Sequence, residues 1–329
     1  MFGQREQGGA GGRLNPRSGI RWDLPLGYRG SILRGDAAAT RASLVSGPFR
    51  ARPPTYFTPL DLESLRRVLE QAFERGWPII PRGAGTGMPG GNLGPHAIVE
   101  VGPGFERVEW VDPEQGLIRA GAGAIAIEVD RFARERGWFV PFLPSSATWC
   151  RVGGMVANNA AGARSFRYGA AAASVVEVEG LFADGTAFRL TPDAPLPEPF
   201  SSLHGELAPR LIEVEKGRIA GWPAVRKNAS GYALDRFIPS GDAAQLMVGS
   251  EGTLGLITDV VLRLQRVPEE IGLAVLPADS PEALTNLAAE ATVLGTTTCE
   301  FLGSRFLDMA ELRHDPRLGD IARGAFALV

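Results

Sequence analysis

Residues 81–91 contain five glycines in eleven positions: Gly83, Gly85, Gly87, Gly90 and Gly91. Bare backbone at that density lets successive N–H groups turn toward one point, which suits an anion, most often a phosphate. The alternative is a glycine-rich surface turn. Trp77, Pro78, Ile79 and Ile80 lead into the loop and read as a strand, and residues 97–101 read as the next one. A P-loop needs Lys and then Ser or Thr after its glycines, and none is present. Gly85, Gly87 and Gly90 fit the spacing GxGxxG, but that pattern requires a helix to start at the glycines. Pro89, Gly94 and Pro95 leave no room for one. The loop therefore joins two strands.

At 329 residues the chain can bury a large core and is expected to form two domains. The net charge of −3 gives no case for a nucleic-acid partner. Cys150 and Cys299 are the only cysteines, neither lies in a CxxC, and His96, His204 and His314 are scattered. Neither a disulfide framework nor a metal site is expected. Residues 1–15 are Gly- and Arg-rich without an apolar run, so no signal peptide is expected. No stretch approaches the roughly 18 apolar residues of a membrane span. The expected location is cytoplasmic, with attachment to the inner membrane face as a further option.

Periodicity supplies the rest of the outline. Residues 1–50 look irregular. A helix is expected over 61–76, with Leu62, Leu65, Val68, Leu69 and Phe73 on its apolar face. Residues 108–111 and 117–120 flank a hairpin signal. A helix over 125–136 follows, then an irregular stretch over 141–169. Strands are expected at 175–182 and 187–190, and a helix near 205–215. Beyond Pro268 the expected order is strand 271–276, helix 281–294, strand 297–302, helix 304–312 and strand 324–329. The domain boundaries fall at 1–50, 51–266 and 267–329.

Two further segments stand out. Pro144, Ser145 and Ser146 lead into a run of small residues from Gly153 to Gly162, closed by Arg167, Tyr168 and Gly169. Such a run packs backbone against a flat, extended ligand, or forms a tight structural loop. The third segment, 248–258, places Glu251 between Gly249 and Gly252, just before an apolar strand. That Glu could cap a turn or accept hydrogen bonds from a ligand.

In this order, residues 82–91, 144–169, 227–235 and 248–258 resemble the PCMH-type FAD-binding domain of the vanillyl-alcohol oxidase superfamily. Within it they are most like the branch of glycolate oxidase flavin subunits, D-lactate dehydrogenases and D-2-hydroxyglutarate dehydrogenases. The resemblance covers about residues 50–329. It implies an α+β fold: a two-subdomain FAD-binding domain followed by a partial ferredoxin-like cap domain. Arg82, Gly83, Ala84, Gly85, Thr86 and Gly87 would wrap the pyrophosphate, with Gly90 and Gly91 completing the cradle. Gly85 would leave the space the diphosphate needs. Pro144, Ser145, Gly153, Gly154, Asn158, Ala160, Gly162, Tyr168 and Gly169 would lie along the ribityl chain and flavin ring. Glu251, Gly252 and Ile257 would lie along the nucleotide. Relatives that bind flavin covalently here carry His at the position of Thr86, so the FAD is expected to be non-covalent.

The resemblance implies a FAD-dependent oxidoreductase that moves hydride from a 2-hydroxy acid of the D-lactate, glycolate or D-2-hydroxyglutarate class to flavin N5. The electron acceptor would be a quinone, an electron-transfer flavoprotein or an iron–sulfur subunit. Relatives run on well past the point matching Val329, so a fragment or flavin-binding subunit that works only with a partner chain is an alternative. Another enzyme of the same FAD fold is a second. Arg164, Arg167, Lys227 and Tyr232 could each approach a substrate carboxylate. The two arginines are expected to be solvated or to tie their loop. No residue is named as catalytic base.

Overall fold

The computed structural model describes residue 22 and residues 27–192, 194–213, 218–219, 221–222, 228–310 and 326–328. These build sheets of four, five and three strands and two short ribbons. The first layer comprises β1 (Gly30–Arg34), α1 (Asp36–Ala42), β2 (Thr55–Pro59), α2 (Leu62–Glu74), β3 (Ile79–Arg82) and β4 (Ala97–Glu100). Its strand order is β1-β2-β4-β3, with β4 parallel to both neighbours. Flanked on each side, β4 is buried at every position.

Asp61 starts α2 by accepting a hydrogen bond from the Ser64 N–H at 2.8 Å. Leu65, Val68, Leu69 and Ala72 form its buried stripe. Leu62 and Phe73, expected on that face, are exposed. At 3.6 residues per turn they flank the stripe, and Ser64 and Ala72 take the inner positions. The stretch up to residue 50 also differs from expectation. It supplies β1 and α1, and Trp22 packs edge-on against Phe57 at 4.7 Å and Trp77 at 4.8 Å. Strand β1 is held by antiparallel pairing to the distant β2, which no local pattern announces.

The second layer starts with the hairpin β5 (Val108–Asp112) and β6 (Leu117–Gly121). Then come α3 (Ala126–Arg134), β7 (Trp138–Phe139), α4 (Val152–Ala157), α5 (Ser165–Tyr168), β8 (Val175–Leu181) and β9 (Ala187–Leu190). Helix α6 (Phe200–Leu211) precedes the ribbon β10 (Ile212–Glu213) and β11 (Arg218–Ile219). Helices α7 (Leu234–Ser240) and α8 (Ala243–Met247) lead to β12 (Leu256–Arg263), and β13 (Gln265–Arg266) pairs with β7. The sheet runs β5-β6-β12-β8-β9, antiparallel throughout.

Arg119 of β6 and Glu177 of β8 both register on Val261 of the intervening β12. Their side chains meet at 2.5 Å, and Arg189 adds a second contact to Glu177 at 2.7 Å. The stretch 141–169, expected to be irregular, holds the short helices α4 and α5. Small residues let α4 lie directly on the end of β6. A Cβ at Gly153 would come within 2.5 Å of the Ala122 Cβ.

The third layer is β14 (Leu276–Ala278), α9 (Pro281–Val293), β15 (Phe301–Gly303), α10 (Ser304–Met309) and β16 (Phe326–Leu328), in sheet order β14-β16-β15. Ser280 fixes the start of α9 by accepting from the Ala283 N–H at 3.1 Å. The strand expected at 271–276 forms at 276–278, directly before that cap. Within 267–310 only Ala278 and Leu307 are buried, while Ile271, Leu273, Val293, Leu294 and Met309 are largely exposed.

Candidate functional site

A cleft of about 1580 Å³ opens where the glycine loop after β3 faces α4 and the start of β12. Thr298 and Glu300 of the third layer reach its wall. Three chain segments far apart in sequence therefore meet at one place.

The glycine loop is anchored by its own first residue. Arg82 is buried, and its guanidinium donates to the carbonyl of Asn92 at 3.1 Å, to Asn92 Oδ1 at 3.2 Å and to the carbonyl of Leu44 at 3.0 Å. Burial pulls this guanidinium below its ordinary pKa, and neighbouring Tyr56 and Glu100 oppose the shift. Residues 44–49 fold against the outside of the loop. A Cβ at Gly47 would meet the Met88 carbonyl oxygen at 2.3 Å, and one at Gly90 would meet the Phe49 ring at 3.0 Å. Within the loop, the backbone N–H groups of residues 83–88 make no hydrogen bond among the described residues. Buried donors are normally paired, so a row of free N–H groups along a cleft is a ready anion site.

The facing wall is stitched together by backbone. The Val152 and Gly153 N–H groups at the start of α4 donate to the carbonyls of Ala124 at 3.0 Å and Ala122 at 2.9 Å. At its other end, the Gly249 and Glu251 N–H groups satisfy the carbonyls of Val156 at 3.1 Å and Ala157 at 2.8 Å. Of the two roles open to Glu251, capping is thus filled by its backbone, at φ 52. Its carboxylate lies over the glycine loop, where a Cβ at Gly91 would come within 2.9 Å of Oε2. A Cβ at Gly154 would meet nothing within 4 Å, so the wall has a bare floor there.

Glu100, buried at the end of β4, ties the two walls. It accepts from Tyr56 Oη at 2.7 Å and Arg41 at 3.2 Å, and lies 3.6 Å from Arg151 on the cleft wall. Burial, then the Glu100 charge, push the Tyr56 hydroxyl far above its usual pKa, so it donates at all physiological pH values. Arg151 also bonds Glu106 at 2.9 Å and the Gly123 carbonyl. Burial raises the pKa of the Cys150 thiol beside it.

Residues 53–191 match the family described as FAD binding domain. Among related proteins, a D-lactate dehydrogenase of Archaeoglobus fulgidus is 28% identical over 77% of this chain and 48% of its own length. The glycolate oxidase subunit GlcD of Bacillus subtilis is 27% identical over 67% of this chain and 39% of its own. A mitochondrial D-2-hydroxyglutarate dehydrogenase of Rattus norvegicus is 26% identical over 66% of this chain and 34% of its own. Over residues 53–191 the chain is similar to an FAD-binding domain. It spans about a third to a half of the length of these relatives. Two solved structures share the fold. An alkyldihydroxyacetonephosphate synthase superposes with TM-score 0.58 at 17% identity, covering 85% of this chain and 47% of that one. A 6-hydroxy-D-nicotine oxidase of Arthrobacter nicotinovorans superposes with TM-score 0.55 at 16% identity, covering 83% and 50%.

The cleft fits an extended dinucleotide. It offers free N–H groups at the glycine loop and a bare floor at Gly154. Most of the expected cofactor residues line it: Arg82, Gly83, Ala84, Gly85, Thr86, Gly87, Gly91, Pro144, Ser145, Gly153, Gly154, Asn158, Ala160, Gly162, Glu251, Gly252 and Ile257. Gly90, Tyr168 and Gly169 do not. Gly90 backs onto Phe49, Tyr168 packs edge-on against Phe139 at 5.5 Å, and Gly169 turns the chain at φ 81 toward Ala173. At Gly85 a Cβ would also strike Arg82 Nη2 at 2.1 Å, so its bareness makes room for the folded-back arginine as well.

Sequence reading missed Ser46, Asn92, Asp130, Arg134, Arg151, Thr298 and Glu300 on the cleft wall. Only Arg151 lay inside a recognised segment; the others arrive from other elements without a local signal. Tyr232 shares a hydrogen bond with Thr253 Oγ1 at 2.8 Å and does not line the cleft. Lys227 lies outside the described residues. Among the described residues, no group of three His, Cys, Asp or Glu is placed to hold a metal, and no helix is long and apolar enough to cross a membrane.

Proposed function

We propose that the chain holds FAD non-covalently along this cleft and oxidises a small 2-hydroxy acid. One observation carries the reading: free N–H donors and a bare glycine floor, both within the stretch that matches an FAD binding domain, line a single cleft. The named relatives supply the substrate class, since a D-lactate dehydrogenase, a glycolate oxidase subunit and a D-2-hydroxyglutarate dehydrogenase all match.

In this reading residues 83–87 donate to the diphosphate, Gly154 lets the ring system approach the backbone, and Glu251 accepts from the nucleotide. When bound, FAD supplies the hydride acceptor. The protein orients substrate against it. Non-covalent retention follows from the wall chemistry. Among the described residues no His or Tyr lines the cleft, Thr86 is a poor nucleophile, and burial keeps the Cys150 thiol protonated. Residues 51–266 then form a two-part cofactor domain, and 267–329 part of a ferredoxin-like cap over the substrate end. The sparsely buried third layer favours a second reading, in which the chain is a flavin-holding subunit completed by another chain.

The test is anaerobic mixing of the yellow protein with D-lactate, glycolate or D-2-hydroxyglutarate. Bleaching of the flavin absorbance by one of them is the expected result. A flavin that is reduced by dithionite but by none of these acids would reject the enzyme reading and leave the subunit reading.

A further inference from the structure

Three arginines gather at the end of the cleft near Phe139. The guanidinium carbons of Arg134 and Arg164 lie 5.9 and 5.1 Å from the centre of the Phe139 ring, and that of Arg167 lies 5.6 Å from the Tyr168 ring. Two of the three are committed. Arg134 Nε donates to Asp130 Oδ2 at 2.6 Å, and Asp130 Oδ1 accepts from the Val140 N–H at 2.9 Å. That carboxylate is therefore spoken for on both oxygens. Arg167 Nη1 donates to the Gly295 carbonyl at 2.7 Å, just past the end of α9. This fastens the motif to the third layer, as expected of a residue that ties its loop.

Arg164 stands apart. It lines the cleft and is half-buried, yet among the described residues it makes no ion pair and no hydrogen bond. Glu300, an acid in the same cleft wall, makes no ion pair with it among the described residues. The Arg164 guanidinium lies over the Phe139 ring. A guanidinium held over an aromatic ring at this distance still has N–H donors to spare. A partly desolvated cation with five unused donors gains from an anionic partner, and its planar fork matches a carboxylate. Arg134, over the same Phe139 ring, adds a second positive charge that is balanced by Asp130.

We propose that Arg164 is the receptor for the carboxylate of the small-molecule ligand. The assignment rests on the reading that the cleft takes a 2-hydroxy acid beside FAD. It replaces the expectation, drawn from sequence, that Arg164 is solvated or only ties its loop.

The experiment titrates FAD-loaded protein with oxalate and follows the perturbation of the flavin spectrum. Oxalate carries the carboxylate but has no C2 hydrogen to give up. Arg164→Met should raise the oxalate Kd by about tenfold or more. Arg164→Lys should recover part of that loss, because it restores charge without the fork. Arg167→Met should leave the oxalate Kd unchanged. FAD affinity, measured by fluorescence, should be the same in all four proteins. An unchanged oxalate Kd in Arg164→Met, or a loss of FAD by that variant, overturns the assignment and leaves the proposed function standing. A wild-type flavin spectrum that responds neither to oxalate nor to any 2-hydroxy acid overturns both.

Discussion

A Cβ at Gly154 would enter open cleft, whereas one at Gly162 would meet the Leu143 carbonyl oxygen at 1.7 Å. The first glycine keeps space for a ligand, and the second lets two backbones touch. Substitution should separate these roles. Gly154→Val should leave thermal stability within about 1 kcal/mol of wild type and weaken FAD binding about tenfold or more. Gly162→Ala should destabilise the apoprotein by about 1–3 kcal/mol. Thermal unfolding of the apoproteins and FAD titration by fluorescence measure both. A Gly154→Val protein that binds FAD as tightly as wild type would place the cofactor elsewhere. Most site residues were legible as types within three segments, because small residues at that density have few other uses. Their individual duties were not legible. The bareness of Gly85 also makes room for the Arg82 side chain, and Glu251 caps α4 through its backbone, since both contacts depend on how the chain folds back.

At the scale of elements, the central sheet is held across β12 by Glu177, which is clamped between Arg119 at 2.5 Å and Arg189 at 2.7 Å. Burial alone would raise the Glu177 pKa, but the hydrogen bonds from Arg189 and Arg119 outweigh it and hold the carboxyl below its usual range. A carboxylate with a depressed folded-state pKa adds stability above its unfolded pKa, near 4.3 for Glu, and loses it as pH falls through the folded value. Glu177→Gln should therefore cost about 1–3 kcal/mol at neutral pH, and the deficit should shrink in acid. Urea denaturation at neutral and acid pH reads the difference; a pH-independent deficit would mean lost packing instead of lost charge. Elements with local signals, such as α2 with its Asp61 cap and the hairpins β5-β6 and β8-β9, were visible in the sequence. Strand β1, helix α1 and the segment 44–49 were not, because each is fixed by partners far along the chain.

The whole molecule is two layers closing on a cleft, with a third layer touching its wall through Thr298 and Glu300. The strand-to-strand placement of the glycine loop followed from the sequence. The side-chain lining contributed by α3, Thr298 and Glu300 did not, since it exists only once the layers meet. The central claim is that this cleft binds FAD without a covalent bond. Its most direct test is to purify the protein, or reconstitute it with FAD, remove free flavin, denature it with acid, and record the flavin spectrum of supernatant and pellet. The account predicts that all the flavin appears in the supernatant. Colour that stays with the precipitated polypeptide would contradict non-covalent binding, and a protein that neither carries nor takes up FAD would contradict the site itself.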